Sequence, residues 1–329
     1  MIDEAPEVSV VTAFYNRSEA VQSSVQSLLS QTHPSFEVVA VDDGSTDGTA
    51  KALQAIGDPR LHVIVQQNTG FTAAITHAIR ASRGKFIAIH GAGDISLSRR
   101  LERQSELLRI RPDVGVVGCH VDNDDLFGQD PRILASPEGL PFFDTLLTRN
   151  LFTHGEVMFR RDLYELVGGY RECFTFAQDR DLWLRISRHA DYAIVPEVLY
   201  RRRRFDGGVS RDVRKLFRQA FLSDLAVQNA RIGMEKGRDL FERYGDDALL
   251  RKPPSRRLAT RVAWMGARFM ATGQTNDGWY LIQAAAGEKL TPYVARMYAV
   301  GISHKIKPVW ENITLPWLRR RVLKGSQSS

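Results

Sequence analysis

Short apolar runs recur along the first 120 residues, and stretches with helical spacing separate them. The run at 8–12 is rich in β-branched residues, and the run at 37–41 is apolar enough to be buried on both faces. Three further runs continue the pattern at 61–65, 86–89 and 114–117. Between the first two runs, four apolar residues share one helix face: Val21, Val25, Leu28 and Leu29. This alternation predicts an α/β fold with a parallel, doubly wound sheet.

The pattern changes in the second half of the chain. A strand is predicted at 156–159, and helices are predicted at 161–167 and 179–188. From Asp212 onward the pattern is helical and basic, with one break at Pro253-Pro254. We therefore expect a domain over 1–210 and a basic helical region over 211–329.

Ligands of such sheets bind at the carboxyl ends of strands, and three polar segments follow predicted strands, at 12–17, 42–47 and 90–94. The adjacent carboxylates of Asp42 and Asp43 are costly to bring together unless hydrogen-bond donors offset their repulsion. A nucleoside supplies such donors through an imide N–H and the ribose hydroxyls. The alternative is a capped turn with two solvated aspartates. Both interpretations stay open on these residues alone.

Two common nucleotide-binding motifs are absent. Residues 12–17 contain no glycine, so the G-x-G-x-x-G fingerprint is missing, and no G-x-x-x-x-G-K-[ST] occurs. Their absence argues against a dinucleotide-dependent oxidoreductase and against a P-loop protein. Tyr15 in this segment could stack on a base, and the alternative is a half-buried aromatic ring that packs on the sheet.

The composition is that of a folded protein, because 43% of the 329 residues are hydrophobic and 25% are charged. The two cysteines, Cys119 and Cys173, cannot form a disulfide framework and favour a reducing compartment. Residues 1–7 lack the apolar run of a secretory signal. No run of about 18 uncharged apolar residues predicts a membrane-spanning helix.

The net charge of +7 conceals a division along the chain. Residues 1–199 carry 19 Lys and Arg against 27 Asp and Glu, whereas residues 200–329 carry 26 against 11. A basic C-terminal region can meet phosphates, an anionic membrane or nucleic acid. No nucleic-acid-binding module is recognisable in it, and we expect no nucleic-acid partner.

Several segments, taken in order, resemble family 2 glycosyltransferases with the GT-A fold. The nucleotide-binding half of that family is similar to 10–17, 27–32, 42–49 and 68–70. The acceptor half is similar to 168–170, 178–185 and 200–210. The resemblance covers about 8–210. It implies a Rossmann-like, mostly parallel sheet flanked by helices, with a nucleotide-sugar half at about 1–120, an acceptor half at about 121–210 and a C-terminal helical extension.

The resemblance also implies an activity, which is transfer of a sugar, with inversion, from a nucleotide-diphosphate sugar to an acceptor hydroxyl. Polysaccharide or glycolipid biosynthesis is the implied setting, and UDP-sugar is the first choice of donor because an aspartate suits the imide of uracil. Asp179 matches the catalytic base, which takes the proton of the attacking hydroxyl; a purely structural helix cap is the alternative. The residues implied in nucleotide-sugar binding are Thr12, Ala13, Tyr15, Arg17, Asp42, Asp43, Asn68, Gly70 and Asp94.

The sequence departs from the family at His90-Gly91-Ala92-Gly93-Asp94. The family usually has an acidic D-x-D cluster here, which binds Mg²⁺ or Mn²⁺, whereas two of the expected acidic positions are Gly91 and Gly93. We expect Asp94 to be the sole carboxylate ligand of the divalent metal, with the diphosphate and water completing its shell. His90 is left without a role. The departure also leaves a second hypothesis, a catalytically weak nucleotide-sugar-binding or scaffold protein.

Contacts with the acceptor or the diphosphate are expected from His154, Trp183, Arg203 and Arg204. A lone histidine before a strand is more often structural than functional. Four consecutive arginines at 201–204 cannot all face one ligand, since alternate residues of an extended segment share a face. One or two could bind the diphosphate through the guanidinium fork, and the others would be solvated.

The C-terminal tail combines tryptophan with clustered basic residues: Trp310, Trp317, Arg319, Arg320, Arg321 and Lys324. This composition is typical of a helix lying on an anionic membrane face. The alternative is a helix that packs its apolar stripe on the core. We expect a cytoplasmic protein whose tail contacts the inner face of the cytoplasmic membrane, which would suit a saccharide or lipid-linked acceptor.

Overall fold

The computed structural model describes residues 5–123, 132–134, 139–203, 212–304 and 310–322. The chain divides into two compact units, Met1–Asp206 and Gly207–Ser329. The first unit contains a sheet with helices, and the described part of the second unit is helical.

The strands of the first unit form one sheet, which has nine strands within the described residues. They are β1 (Val8–Phe14), β2 (Phe36–Asp43), β3 (Leu61–Gln66), β4 (Phe86–Ile89), β5 (Ile95–Ser96), β6 (Val114–Asn123), β7 (Arg132–Leu134), β8 (Met158–Arg160) and β9 (Asp191–Arg202). Their order is β3-β2-β1-β4-β8-β6-β9-β5, and β7 pairs with β6. The predicted α/β class is confirmed.

Helices connect these strands, and α6 and α7 lie within two residues of the helices predicted at 161–167 and 179–188. They are α1 (Ser18–Leu29), α2 (Thr49–Gln54), α3 (Phe71–Ala81), α4 (Arg100–Ile110), α5 (Phe142–Thr148), α6 (Arg161–Leu166) and α7 (Gln178–Ile186). The first four strands are parallel to one another. All residues of β2 and β4 are buried, as their continuous apolar runs predict.

The sheet becomes mixed beyond β4. Strand β8 lies between β4 and β6 and runs antiparallel to both, whereas β9 runs parallel to β6. A strand of three residues has no periodicity that reveals its direction, because direction follows from the connection and not from the side chains. The sequence pattern therefore predicted the parallel half of the sheet and a strand at 156–159 that corresponds to β8, but it did not reveal that β8 is antiparallel.

The sequence pattern did not indicate strand β9. Its last residues pair with the short β5, Tyr200 opposite Ser96 and Arg201 opposite Ile95. This pairing brings the segment that ends in Arg203 to the loop after β4, which is more than one hundred residues away in the sequence.

The second unit consists of α8 (Val213–Lys236), α9 (Leu240–Tyr244), a 3₁₀ segment (Gly245–Arg251), α10 (Arg256–Ala271), α11 (Thr275–Glu288), α12 (Pro292–Ser303), a π-helical segment (Trp310–Thr314) and α13 (Leu315–Val322). The predicted break at Pro253-Pro254 separates the 3₁₀ segment from α10. Of the helices in the described part of the chain, none has the length and apolar character needed to cross a membrane.

The described part of the tail packs within the second unit. Trp310, Leu318 and Val322 are buried in the unit's hydrophobic core, and the Arg296 guanidinium lies 4.9 Å from the ring centre of Trp317. This arrangement is the core-packing alternative considered above. Membrane contact stays a prediction, and Lys324 lies outside the described residues.

Candidate active site

The candidate site begins at Asp42, which ends the buried stretch of β2 together with Asp43. The Asp42 side chain is 1% exposed, and its Oδ2 accepts a hydrogen bond from the Ser45 backbone N–H at 3.1 Å. Its Oδ1 has no hydrogen-bond partner among the described residues, and neither has Oγ1 of the buried Thr12 on β1. A buried polar atom without a partner costs about 1–3 kcal/mol. Asp42 Oδ1 is therefore suited to a donor that comes from a ligand.

Asp43 is fully engaged within the protein. Its Oδ1 accepts from the Gln66 side chain and the Thr69 backbone, both at 2.9 Å, and its Oδ2 accepts from the Gly70 backbone at 2.9 Å. These bonds fasten the loop after β3 to the end of β2. The structure thus gives Asp43 a bracing role, and its direct contact with the nucleoside stays a prediction.

The loop after β1 is tied to the loop after β2. Asn16 has a left-handed backbone, with φ of 50°, and its Oδ1 accepts from the Thr46 backbone at 2.9 Å. The Arg17 backbone donates to Thr49 Oγ1 at 2.9 Å. Tyr15 lies between these anchored residues with 51% of its surface exposed, so its ring is available for stacking.

The other predicted donor contacts lie along the same edge. Ala13 is half-buried in β1, and Asn68 is exposed in the loop after β3. Gly44 has φ of 75°, and a Cβ there would come within 2.6 Å of the Asn68 backbone nitrogen. Only glycine fits this close approach of the two loops. The structure therefore brings the predicted residues of the first three loops to one edge of the sheet.

His90 is a core residue. It has no exposed surface, and its Nε2 lies 3.0 Å from Ser24 Oγ while its Nδ1 lies 3.1 Å from Ser96 Oγ. Burial, reinforced by the charge of Arg100, lowers the pKa of His90 to about 3. The ring is therefore neutral at physiological pH, and both of its nitrogens are occupied within the protein.

Asp94 is held by residues from the end of β9. Its Oδ2 accepts from the Tyr200 hydroxyl at 2.6 Å, and its Oδ1 accepts from the Arg203 backbone N–H at 2.8 Å. The Tyr200 hydroxyl in turn accepts from the Gly91 backbone N–H at 2.9 Å. Burial raises the pKa of Asp94, although the Tyr200 hydrogen bond opposes that shift.

These contacts bear on the predicted metal. Among the described residues, no group of three or more His, Cys, Asp or Glu side chains is placed to hold a metal ion. Asp94 is the only carboxylate in 90–94, and both of its oxygens accept bonds from protein donors. The donor set therefore does not fit a divalent cation held by the protein. The metal role of Asp94 stays a prediction.

Asp179 lies in the first turn of α7 and is 9% exposed. Its Oδ2 accepts from the Asn150 side chain at 2.6 Å. The nearby Asp181 is engaged differently, in salt bridges with Arg171 at 3.1 Å and Arg185 at 2.7 Å. Of the two aspartates, Asp181 anchors the helix, and Asp179 is the one whose carboxylate has an oxygen for chemistry.

The structure brings His154 close to Asp179. The charge of Asp179 opposes the lowering of the His154 pKa that burial causes, so the two groups share one electrostatic environment. The His154 Nε2 lies 2.7 Å from the Tyr170 hydroxyl. With φ of 74°, His154 has a left-handed backbone that a non-glycine residue rarely adopts.

The remaining predicted contacts are a buried residue and two arginines. Trp183 has no exposed surface and packs edge-on against Phe152 and Phe159, and its buried Nε1 has no hydrogen-bond partner among the described residues. Trp183 supports α7 from within the core, and its contact with an acceptor stays a prediction. Arg203 lies beside Asp94, whereas Arg204 lies outside the described residues.

The family model for glycosyl transferase family 2 matches residues 9–168. EpsE of Bacillus subtilis (strain 168), which has the name of a glycosyltransferase, is 34% identical over 191 residues, which cover 56% of this chain and 68% of EpsE. The chain belongs to glycosyltransferase family 2. The predicted family and enzyme class are thereby confirmed.

Other comparisons differ in coverage. The succinoglycan biosynthesis protein ExoO of Rhizobium meliloti (strain 1021) is 35% identical over 167 residues, which cover 49% of this chain and 46% of ExoO. A mannosyltransferase of Pyrobaculum calidifontis, solved with GDP-Man and Mn²⁺, has a TM-score of 0.52 and 19% identity, with 99% of this chain and 88% of that chain covered. At that identity the likeness shows the fold alone, and it confirms the predicted GT-A architecture.

Backbone strain in this glycosyltransferase is concentrated at the candidate site. The non-glycine residues with positive φ in the described part of the chain are Asn16, His154 and Ala177. Asn16 follows Tyr15, His154 feels the charge of Asp179, and Ala177 precedes α7. Such conformations cost about 1–3 kcal/mol each and are commonly retained where function requires them.

Sequence reasoning missed several residues of the site. Asn150, Tyr200 and Arg100 contact Asp179, Asp94 and the Tyr200 ring respectively. Each of these contacts joins positions that are distant in the sequence or buried after folding. For Tyr200 a signal existed, because it begins the 200–210 segment that resembles the family. For Asn150 and Arg100 no local pattern marks the role.

Proposed function

We propose that this family 2 glycosyltransferase transfers a sugar from a nucleoside diphosphate sugar to an acceptor hydroxyl, with inversion at the anomeric carbon. The observation that carries the donor half of the proposal is the buried Asp42 Oδ1, which has no partner in the described protein. A ring N–H of the base would satisfy it. Uracil and guanine have such a ring N–H, so UDP is the first choice and GDP the second.

Asp179 is proposed as the base. As the acceptor oxygen attacks, the new bond from oxygen to the anomeric carbon forms while the bond from that carbon to the diphosphate oxygen breaks. The bonding electron pair leaves with the nucleoside diphosphate, and the acceptor proton passes to Asp179. Attack opposite the leaving group inverts the centre. Asn150 orients the carboxylate through its 2.6 Å bond.

The acceptor is proposed to be a growing polysaccharide or a glycolipid. The name of ExoO, which refers to succinoglycan biosynthesis, supports this class. The excess of basic residues at 200–329, 26 against 11 acidic, supports a lipid-linked acceptor at the inner face of the cytoplasmic membrane. Trp183 is left out of this proposal, and His154 is retained as a neighbour of the base.

The expectation of Mg²⁺ or Mn²⁺ as a cofactor stays a prediction, and no step of the proposed transfer depends on it. The Mn²⁺ in the mannosyltransferase structure is a property of that protein. The residues around Asp94 give the ion little support, for the reasons stated above.

A donor screen tests the proposal. The full chain is incubated with UDP-, GDP-, ADP- and CDP-sugars and a panel of saccharide acceptors, and products are identified by mass spectrometry and by NMR of the new linkage. We expect a single added sugar of inverted anomeric configuration from a UDP- or GDP-sugar. A retained configuration would contradict the single displacement. Nucleotide binding without transfer or donor hydrolysis would support the catalytically weak protein considered above.

A further inference from the structure

The leaving diphosphate gains negative charge as the glycosidic bond forms, and a group in the site must offset that charge. We propose that the Arg203 guanidinium, positioned by Asp94 and Tyr200, neutralises the diphosphate and that no protein-bound divalent cation takes part. The inference rests on the proposed function, since it takes a nucleoside diphosphate sugar as the donor.

The 91–94 loop is shaped for glycine at positions 91 and 93. A Cβ at Gly91 would overlap Oδ2 of Asp94 and would come within 3.1 Å of the Tyr200 hydroxyl. Gly93 has φ of 99°, a conformation that residues with a side chain rarely adopt. An acidic residue at 91 would therefore displace the Asp94 and Tyr200 side chains, and one at 93 would strain the backbone. The two glycines are therefore part of the conformation of this loop. The loop differs from an acidic D-x-D site in more than the loss of two carboxylates.

A metal ion at Asp94 would compete with the hydrogen bonds that its carboxylate accepts from the protein. The carboxylate accepts from the Tyr200 hydroxyl at 2.6 Å and from the Arg203 backbone at 2.8 Å. The Tyr200 hydroxyl also fills the space beside Gly155, where a Cβ would overlap it. Asp94 and Tyr200 thus hold the end of β9 against the loop, and they act as positioning residues for Arg203.

The charge of Arg203 is available for an anion. Its Nη1 donates to Ser23 Oγ on α1 at 3.0 Å, and it forms no salt bridge within the part of the chain that the structure describes. Arg201, which lies in β9 two residues before Arg203, is paired with Asp122 at 2.9 Å. Arg203 lies beside the loop that follows β4, at the sheet edge where the donor is proposed to bind. A guanidinium fork matches the oxygens of a phosphate.

The surrounding charges also oppose a divalent cation at Asp94. Arg100 and Arg202 are close enough to act electrostatically on this carboxylate. Arg100 is fully buried, and its Nη2 donates to the Ile89 carbonyl at 2.7 Å, which keeps its charge fixed in place. These positive charges disfavour a divalent cation at Asp94, whereas a diphosphate would be attracted by the same groups.

Isothermal titration calorimetry on the full chain tests the inference. UDP and GDP, each with its parent nucleoside, are titrated in EDTA and again in MnCl₂. We expect the diphosphate to bind more tightly than the nucleoside in EDTA, and Mn²⁺ to leave its dissociation constant unchanged. Transfer measured in EDTA with the donor found in the screen is expected to match transfer in MnCl₂.

Two variants isolate the side chain. Arg203→Ala keeps the backbone N–H that bonds Asp94, so it removes only the guanidinium. We expect it to weaken diphosphate binding about 10- to 100-fold, as for loss of hydrogen bonds to a charged group, and to leave nucleoside binding unchanged. Arg203→Lys should recover part of the loss, because lysine keeps the charge without the fork. Arg201→Ala is the matched control and should bind the diphosphate like the wild type.

The outcomes separate the inference from the function on which it rests. Diphosphate binding that requires Mn²⁺, together with wild-type affinity in Arg203→Ala, overturns the inference and leaves the proposed function intact. Failure of UDP and GDP to bind in either buffer overturns the proposed donor class and the inference with it. Metal-independent binding that Arg203→Ala weakens supports both.

Discussion

The loop after β2 and the loop after β4 follow parallel strands of one sheet, and they treat their carboxylates in opposite ways. Asp42 has a buried oxygen without a partner in the described protein. Asp94 has a protein donor on each oxygen. We call a carboxylate open when one of its oxygens has no donor among the described residues, and satisfied when both oxygens have one. An open carboxylate is suited to recognising a donor group on a ligand, whereas a satisfied one stabilises the protein. We therefore assign ligand recognition to Asp42 and a structural role to Asp94, although both are aspartates at the same edge of the sheet.

The acceptor side repeats this contrast within a single helix. Asp181 is paired with two arginines, and Asp179 accepts from Asn150 on one oxygen. Of these four aspartates, Asp42 and Asp179 are the two that keep an oxygen without a donor among the described residues. If the contrast between open and satisfied groups is meaningful, removing an open carboxylate should affect ligand binding or catalysis, and disturbing the satisfied loop should affect stability.

The largest effect is expected from Asp179→Asn, which removes the open carboxylate on the acceptor side. An amide cannot take the acceptor proton, so the rate constant for transfer should fall about 10²- to 10⁴-fold. The nucleotide dissociation constant, measured by calorimetry, should not change. Asp191→Asn, an exposed position at the start of β9, is the control. Transfer at the wild-type rate would remove Asp179 as the base.

We expect His90, in the loop after β4, to make the free energy of unfolding depend on pH. The pKa of His90 is about 3 in the folded protein against 6.5 for an ordinary histidine. Between pH 6.5 and pH 3, His90 therefore binds a proton in the unfolded chain and stays neutral in the folded chain. The His90 contribution to the free energy of unfolding is complete above pH 6.5 and should fall by about 1.4 kcal/mol per pH unit toward pH 3.

The measurement for His90 is the difference between urea unfolding of the wild type and of His90→Gln from pH 7 to pH 4. Glutamine does not titrate, so the advantage of the wild type should shrink as the pH falls. A difference that does not vary with pH would mean that His90 does not remain neutral in the folded state.

Asp42→Ala tests the open carboxylate on the donor side. Loss of the proposed bond to the base should weaken UDP binding about 10- to 100-fold, and uridine binding should weaken by the same factor because the contact is to the base. Asp58→Ala is the control, since Asp58 is paired with Arg60 at 2.8 Å. Unchanged affinity for both ligands would refute the recognition role of Asp42.

The smallest effect is expected from Tyr200→Phe, which removes one hydrogen bond from the satisfied loop. The free energy of unfolding should fall by about 1 kcal/mol, the usual net contribution of such a bond. Tyr15→Phe, which alters an exposed ring, should leave stability unchanged. Equal stability of wild type and Tyr200→Phe would show that the contact with Asp94 does not support the loop.

Much of the parallel half of the fold could be predicted because its signals are local. Strand β4 has the predicted bounds, and β2 extends the predicted run by three residues to include Asp42 and Asp43. The position of Asp42 at a strand end follows from where the apolar run stops. That one of its oxygens has no partner could not be predicted, because it depends on what the surrounding loops supply.

The sequence by itself determined the alternation of strands and helices, the polar segments that follow the strands, the resemblance that led to the family, and Gly91 and Gly93 in place of the usual acidic pair. Apolar periodicity and turn residues act over a few positions, so they are visible without coordinates. Only the tertiary structure decided that Tyr200 and Arg203 reach Asp94, that His90 is neutral and buried, and that Trp183 belongs to the core. Those outcomes depend on which distant segments pair across the sheet, and the energies of burial and hydrogen bonding that select the pairing arise only once the chain has folded.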